Sequence, residues 1–186
     1  MTVPSREECM AILSATGMAP NVIEHIELVE AIASAIADAI ERRHPGSVDR
    51  GLVTAGALLH DLGRSRTHDI SHASVGVEMA KGMGLDPSVV EIVRRHVGAG
   101  LLPHEARALG LPEWDGMPRT LEEKVVCHAD TLTGRRGRST LARTLEDIRR
   151  HPGSQEWERR AVALHRELSE LAGMDVDLIG PWAGRG

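Results

Sequence analysis

The chain has 186 residues, enough to bury a sizeable core, and nothing in its composition suggests a second domain. Its 22 Lys+Arg against 27 Asp+Glu give a formal charge of −5, which argues against a nucleic-acid-coating protein but not against a small anionic substrate beside a bound cation. The opening MTVPSREECM is polar and acidic, unlike a signal peptide, no apolar run approaches a membrane span, and Cys9 and Cys127 belong to no C-x-x-C motif.

A cytoplasmic protein without a disulfide framework or thiolate zinc site is therefore expected. With no Phe, no Tyr and only Trp114, Trp157 and Trp182, the core must be aliphatic, and against it ten histidines stand out.

The pattern is helical throughout. Ser5 to Ala15 reads as a first helix, with Ser5 and Glu8 at capping-box spacing. Asn21 can cap a second helix to about Arg43, with Val22, Ile26, Val29, Ala33, Ile36 and Ile40 on one stripe. Asp49 to about Leu62 is apolar on most sides, as in a central buried helix. Gly63 to Ile70 is a loop rich in Arg, His and Asp. Ser71 caps a fourth helix to about Gly82, and Asp86-Pro87 opens a fifth.

A Gly/Pro-rich stretch from Gly98 to Arg119 holds a short helical piece near His104 to Leu109. Thr120 then caps a long element through Asp130 and Leu132. Two further helices follow, near Ser139–Arg150 and Ser154–Leu171, and the tail from Gly173 reads as irregular. No strand is expected. The fold class is all-α, as one domain over 1–186, with a motif region at 20–135, C-terminal helices at 138–172 and a tail at 173–186.

Six residues on successive helices carry chemistry: His25, His60, Asp61, His72, His96 and Asp130. His25 lies on the inner stripe of the second helix, with Val29 and Ile32 four and seven residues on. His96 has Val89, Ile92 and Val93 behind it, and Asp130 stands four after Val126. Each polar group points inward, where an ionised carboxylate is costly unless paired or bound to metal. A single inward histidine is more often a hydrogen-bonded core residue, and an inward aspartate can cap a helix or pair with an arginine. The ordered set is what favours ligation. Six imidazole and carboxylate groups exceed what one divalent ion needs, so two ions with water between them are expected, and with them hydrolysis at phosphorus.

These residues fall in recognisable strings: His25-Ile-Glu-Leu-Val, Gly56-Ala-Leu-Leu-His60-Asp61-Leu-Gly-Arg64, His72-Ala-Ser-Val-Gly76, Ile92-Val-Arg-Arg-His96 and Glu123-Lys-Val-Val-Cys-His-Ala-Asp130. Together they resemble the signature of the HD-domain metal-dependent phosphohydrolase superfamily over about residues 20 to 135, with Leu62 in place of the commoner Ile. The stretch from Gly98 to Pro112 is similar to short archaeal HD proteins, a group that includes a dihydroneopterin 2′,3′-cyclic-phosphate phosphodiesterase.

The resemblance implies an HD-type helical bundle with a central metal site. It implies that His25, His60, Asp61 and Asp130 hold one metal, that Asp61 bridges, and that His72 and His96 hold the second. Fe²⁺ or Mn²⁺ come first, with Zn²⁺, Co²⁺ or Ni²⁺ tolerable and Mg²⁺ disfavoured by four imidazoles. The implied reaction is attack of a metal-bridged hydroxide on a small cyclic phosphate or nucleotide-like phosphodiester.

Arg64, directly after the His-Asp-Leu-Gly turn, is placed to offer a bidentate fork to the phosphate, and Arg66 and His68 are further candidates for substrate contact. All three also read as ordinary loop residues. His128, two before Asp130, reads as a supporting or surface group, while Arg135 or Arg136 is close enough in sequence to reach the pocket. Gly63 and Gly76 read as close-packing positions. The partner is a small phosphorylated substrate, with no membrane and no nucleic acid expected, and the oligomeric state is open. Three alternatives stand beside this reading: a nucleotidase or dinucleoside-polyphosphate hydrolase, a di-iron oxygenase on the same ligands, and a non-catalytic nucleotide-binding module.

Overall fold

A computed structural model describes residues 2–134, 137–150 and 154–180, so the expectations for Arg135 and Arg136 lie outside the described residues. Helix α1 spans Arg6–Ala15 and begins as the sequence predicts. Ser5 Oγ accepts from the Glu8 N–H, and the Glu8 carboxylate accepts from the Ser5 N–H at 2.7 Å. Helix α2, Pro20–Arg43, starts one residue before the expected cap. Pro20 sits in the first turn, where a missing N–H costs nothing, so Ala19 and not Asn21 is the boundary. The predicted stripe of α2 is buried from Val22 to Ile40.

Helix α3, Arg50–Leu59, is capped by Asp49, whose carboxylate accepts from the Leu52 N–H. It stops short of the predicted Leu62. The His60 ring takes the carbonyl of Ala57 at 2.7 Å, and the chain then tightens into a 3₁₀ turn over Leu62–Ser65. Helices α4 (His72–Gly82), α5 (Pro87–Arg95) and α6 (Pro103–Ala108) follow. Ser71 does not cap α4 with its side chain; instead Asp69 accepts from the Ser71 N–H.

Helix α7, Leu121–Thr131, carries the predicted Thr120–Glu123 capping box. The all-α fold class holds; against the expectation of no strand, β1 (Thr133–Gly134) and β2 (Gly137–Arg138) pair as a minimal antiparallel sheet, with Thr133 opposite Arg138. Helices α8 (Leu141–Ile148) and α9 (Gln155–Ala172) complete the bundle. The described part of the tail is not wholly irregular, since Val176–Leu178 forms a second 3₁₀ turn. Among the described residues no helix is long and apolar enough to cross a membrane.

Two large aliphatic clusters form most of the core, with a small third around Leu101, Ala106 and Leu111. One joins Ile32, Ile36 and Ile40 of α2 to Val53 of α3, Val126 of α7 and Leu168 of α9. The other joins Leu13, Ile26, Leu58, Leu62, Val77 and Val93. Glycines set the closest approaches. A Cβ on Gly56 would lie 2.4 Å from Ile92 Cδ1, so α3 and α5 touch directly. A Cβ on Gly63 would lie 2.0 Å from the His72 carbonyl oxygen and 2.6 Å from the Gly76 nitrogen, which presses the first 3₁₀ turn onto α4. That contact holds His60-Asp61 against His72.

Candidate metal centre

All six predicted ligands converge. His25 comes from α2, His60 and Asp61 from the end of α3, His72 from the start of α4, His96 from the end of α5 and Asp130 from α7. Asp61 lies at the middle, with 2% of its side chain exposed. Its two oxygens face different groups. Oδ2 lies 3.5 Å from His25 Nε2 and 3.6 Å from His60 Nε2, while Oδ1 lies 3.2 Å from His72 Nε2 and 3.5 Å from His96 Nε2. Asp130 Oδ1 joins the first group, 3.2 Å from His25 Nε2 and 3.8 Å from His60 Nε2.

The ring orientations bear on what the site can hold. The Nδ1 atoms of His60, His72 and His96 lie 2.7, 2.7 and 2.8 Å from the carbonyl oxygens of Ala57, Asp69 and Val93. A carbonyl only accepts, so each Nδ1 carries the proton, and in the neutral ring Nε2 is a bare lone pair. Those lone pairs face carboxylate oxygens and one another, His72 Nε2 lying 3.2 Å from His96 Nε2. Among the described residues, His60 Nε2 and Asp61 Oδ1 are buried without a hydrogen-bond partner. Clustered buried acceptors repel unless a cation lies between them, and a backbone carbonyl accepting from Nδ1 is the usual support of a ligating histidine. The donor set, nitrogen and oxygen only, fits borderline divalent metals.

Electrostatics keep both carboxylates ionised and divide the histidines. Burial opposes charge on every member. At His60 burial prevails and the pKa is lowered; at His72 it is reinforced by His96 and lowers the pKa to about 4. At His25 burial is outweighed by Asp130 and Asp61, and at His96 by Asp61, so both are raised. Burial also pushes against ionised Asp61, but His60, His96 and Arg64 outweigh it and hold its carboxyl well below the usual range. Asp130 is lowered too, against burial, by His25 and His60. Both carboxylates are thus anionic at neutral pH.

The arginine loop is arranged differently from the sequence expectation of a free fork. Arg64 Nε donates to Asp61 Oδ2 at 2.6 Å, and its Nη1 donates to the His68 carbonyl at 3.3 Å. Arg64 therefore orients Asp61 as well as facing the opening. A cleft of about 650 Å³ leads to the centre, lined by His25, Asp61, Arg64, His68 and Asp130. Arg66 is exposed and lies outside this lining. Sequence reasoning missed the other wall, formed by Asn21, Glu24 and Leu28 of α2 and by Thr133, Gly134 and Gly137 of the hairpin. The paired glycines after Asp130 were the available signal. His128, read as a supporting or surface group, is fully buried, with Nε2 3.0 Å from His165 Nδ1.

The HD domain family model matches residues 22–135, which contain all six converging residues. The chain belongs to the HD domain family. Among curated relatives, two proteins named tRNA (cytidine(56)-2′-O)-methyltransferase match this HD domain, from Picrophilus torridus at 40% identity over 94% of the chain and Thermoplasma volcanium at 38% over 95%. The chain spans about half the length of each, 49% and 50%. An uncharacterized protein of Methanocaldococcus jannaschii is 40% identical over 81% of the chain and 89% of its own length. Ribonuclease Y of Aquifex aeolicus is 28% identical over 88% of the chain, which spans 26% of that enzyme. Among solved structures, the HD domain of the Listeria monocytogenes phosphodiesterase PgpH, in complex with cyclic-di-AMP, shares the fold. Its TM-score is 0.53 at 16% identity, over 90% of this chain and 84% of that one.

Proposed function

We propose that the chain is a metal-dependent phosphodiesterase acting on a small cyclic phosphate or another nucleotide-like phosphodiester. The observation that carries this reading is the split of the Asp61 carboxylate: Oδ2 faces His25 and His60, and Oδ1 faces His72 and His96. Two groups of donors sharing one buried carboxylate suit two divalent ions, Fe²⁺ or Mn²⁺ first, with Asp130 completing the first group. Bound there, such ions supply Lewis acidity toward phosphoryl oxygens and lower the pKa of a coordinated water.

The chain's own residues supply the rest. Asp61 and Asp130 neutralise the ions, and the carbonyls of Ala57, Asp69 and Val93 lock three rings with Nε2 inward. Arg64, tied to Asp61 through Nε and to the His68 carbonyl through Nη1, lines the cleft, where its charge would stabilise charge building on the phosphate. His68, exposed in the lining, is assigned the leaving group in this reading, and the cleft volume suits a ligand of nucleotide size.

The relatives named for tRNA methylation and for ribonuclease activity favour a second reading within the same chemistry, a phosphodiester carried on RNA. A substrate panel separates the readings. Protein prepared anaerobically with Mn²⁺ or Fe²⁺ is offered 2′,3′-cyclic nucleotides, a cyclic dinucleotide, short RNA, nucleoside monophosphates and diadenosine tetraphosphate. Preferred turnover of the cyclic esters is expected, and preference for RNA selects the second reading. Cleavage of the polyphosphate alone, or of monophosphates alone, contradicts both. Oxygen-dependent turnover of a polyol or phosphonate without phosphate release contradicts hydrolysis itself. Binding of nucleotides without turnover would leave a non-catalytic module.

A further inference from the structure

Away from the central cleft, a second group of ligand-type side chains shares no residue with the first. His165 lies on α9, and Asp175 and Asp177 lie at the 3₁₀ turn that follows it. One ligand atom from each falls within 4.8 Å of the others. His165 Nε2 stands 3.0 Å from Asp175 Oδ1, while its Nδ1 stands 3.0 Å from Nε2 of the fully buried His128.

Each carboxylate already serves the backbone. Asp175 Oδ1 accepts from the Asp177 N–H at 2.8 Å, and the Asp177 oxygens share the Leu141 N–H at 3.2 Å. Lone pairs remain on both. Asp177 is half-buried, and among the described residues it makes no ion pair; the nearby Arg138 spends its Nη2 on the carbonyls of Val176 and Asp177. The two neighbouring carboxylates thus share His165, with the Arg138 charge standing beside Asp177.

We propose that His165, Asp175 and Asp177 form a peripheral site for a borderline divalent cation such as Zn²⁺, which pins the C-terminal turn to α9. One imidazole and two carboxylates are a donor set such ions accept, with water completing the shell. Bonds of roughly 2.0–2.2 Å would set the donors roughly 3–3.5 Å apart; His165 Nε2 and Asp175 Oδ1 already stand 3.0 Å apart, and Asp177 lies within 4.8 Å of both. His128 acts as the orienting partner, because its ring on His165 Nδ1 fixes the plane in which His165 Nε2 points outward. Asp175, with 53% of its side chain exposed, gives the ion a path in.

Zn²⁺ binding is measured by equilibrium dialysis on Asp61→Asn protein, in which the central set is disabled, and on the same protein carrying His165→Gln or Asp175→Asn. One equivalent fewer is expected with His165→Gln, and at least a tenfold weaker site with Asp175→Asn. Zn²⁺ should raise the Tm of the Asp61→Asn protein and lose that effect in both double variants. Equal Zn²⁺ content across the three proteins, or no Tm response in the first, overturns the proposal. Asp175→Asn, at the exposed rim, decides the matter if His165→Gln does not fold. In the otherwise native chain, His165→Gln should leave phosphodiester turnover unchanged, so a failure here is distinct from a failure of the central reading.

Discussion

Asp61 is the residue on which the centre turns. It is buried, anionic, shared between two histidine pairs and gripped by Arg64. Removing its charge leaves four inward imidazoles with one carboxylate, Asp130. Asp61→Asn is expected to lower phosphodiester turnover by at least about a thousandfold and to strip metal, measured by steady-state kinetics and elemental analysis of the same sample. Arg64 acts differently, because it touches both Asp61 and the cleft. Arg64→Ala should lower kcat/KM by about 10- to 100-fold while most of the metal is retained. Complete metal loss in that variant would mean that Arg64 serves the ligand alone.

Among elements, three of the six proposed ligands sit at helix ends. His60, His72 and His96 each spend Nδ1 on a carbonyl three residues back, so local chain geometry orients the ring. The glycine contact between the first 3₁₀ turn and α4 then sets the distance across the site. Gly63→Ala would drive a methyl group into the His72 carbonyl and the backbone of Gly76. It should cost at least about 2 kcal/mol in urea unfolding and weaken metal binding, whereas a surface glycine with open space, Gly82, should tolerate alanine.

Most of this layer is legible in the sequence. Capping residues and inward stripes locate the helices, and each ligand sits on an inner face. The hairpin after α7 is not legible, because two-residue strands carry no periodicity. Nor is the early end of α3, since the His60 ring competes for the Ala57 carbonyl only once the turn has formed. The burial of His128 depends on His165, 37 residues away, a pairing no local pattern announces.

For the whole molecule, an aliphatic bundle surrounds a polar centre, and its two cysteines report on that packing. Cys9 and Cys127 are both fully buried. Burial pushes the Cys9 thiol up to about 11, and burial raises Cys127 further. At pH 8 the Cys9 thiolate is then scarce, about one part in a thousand, so the folded chain should react with Ellman's reagent on a timescale set by unfolding. Rapid labelling of either thiol at pH 8 without denaturant would contradict the packing described. The centre of the molecule was readable because six ligand-type residues recur in order on successive helices. The far wall of the cleft was not, because Asn21, Glu24 and Leu28 look like ordinary helix-surface residues until the hairpin faces them.

Anomalous diffraction from crystals grown anaerobically with Mn²⁺ tests the dinuclear centre most directly. Two peaks are expected, one on each side of the Asp61 carboxylate: the first among His25, His60 and Asp130, the second between His72 and His96. A single peak beside Asp61, or none within bonding distance of it, would rule out a dinuclear centre.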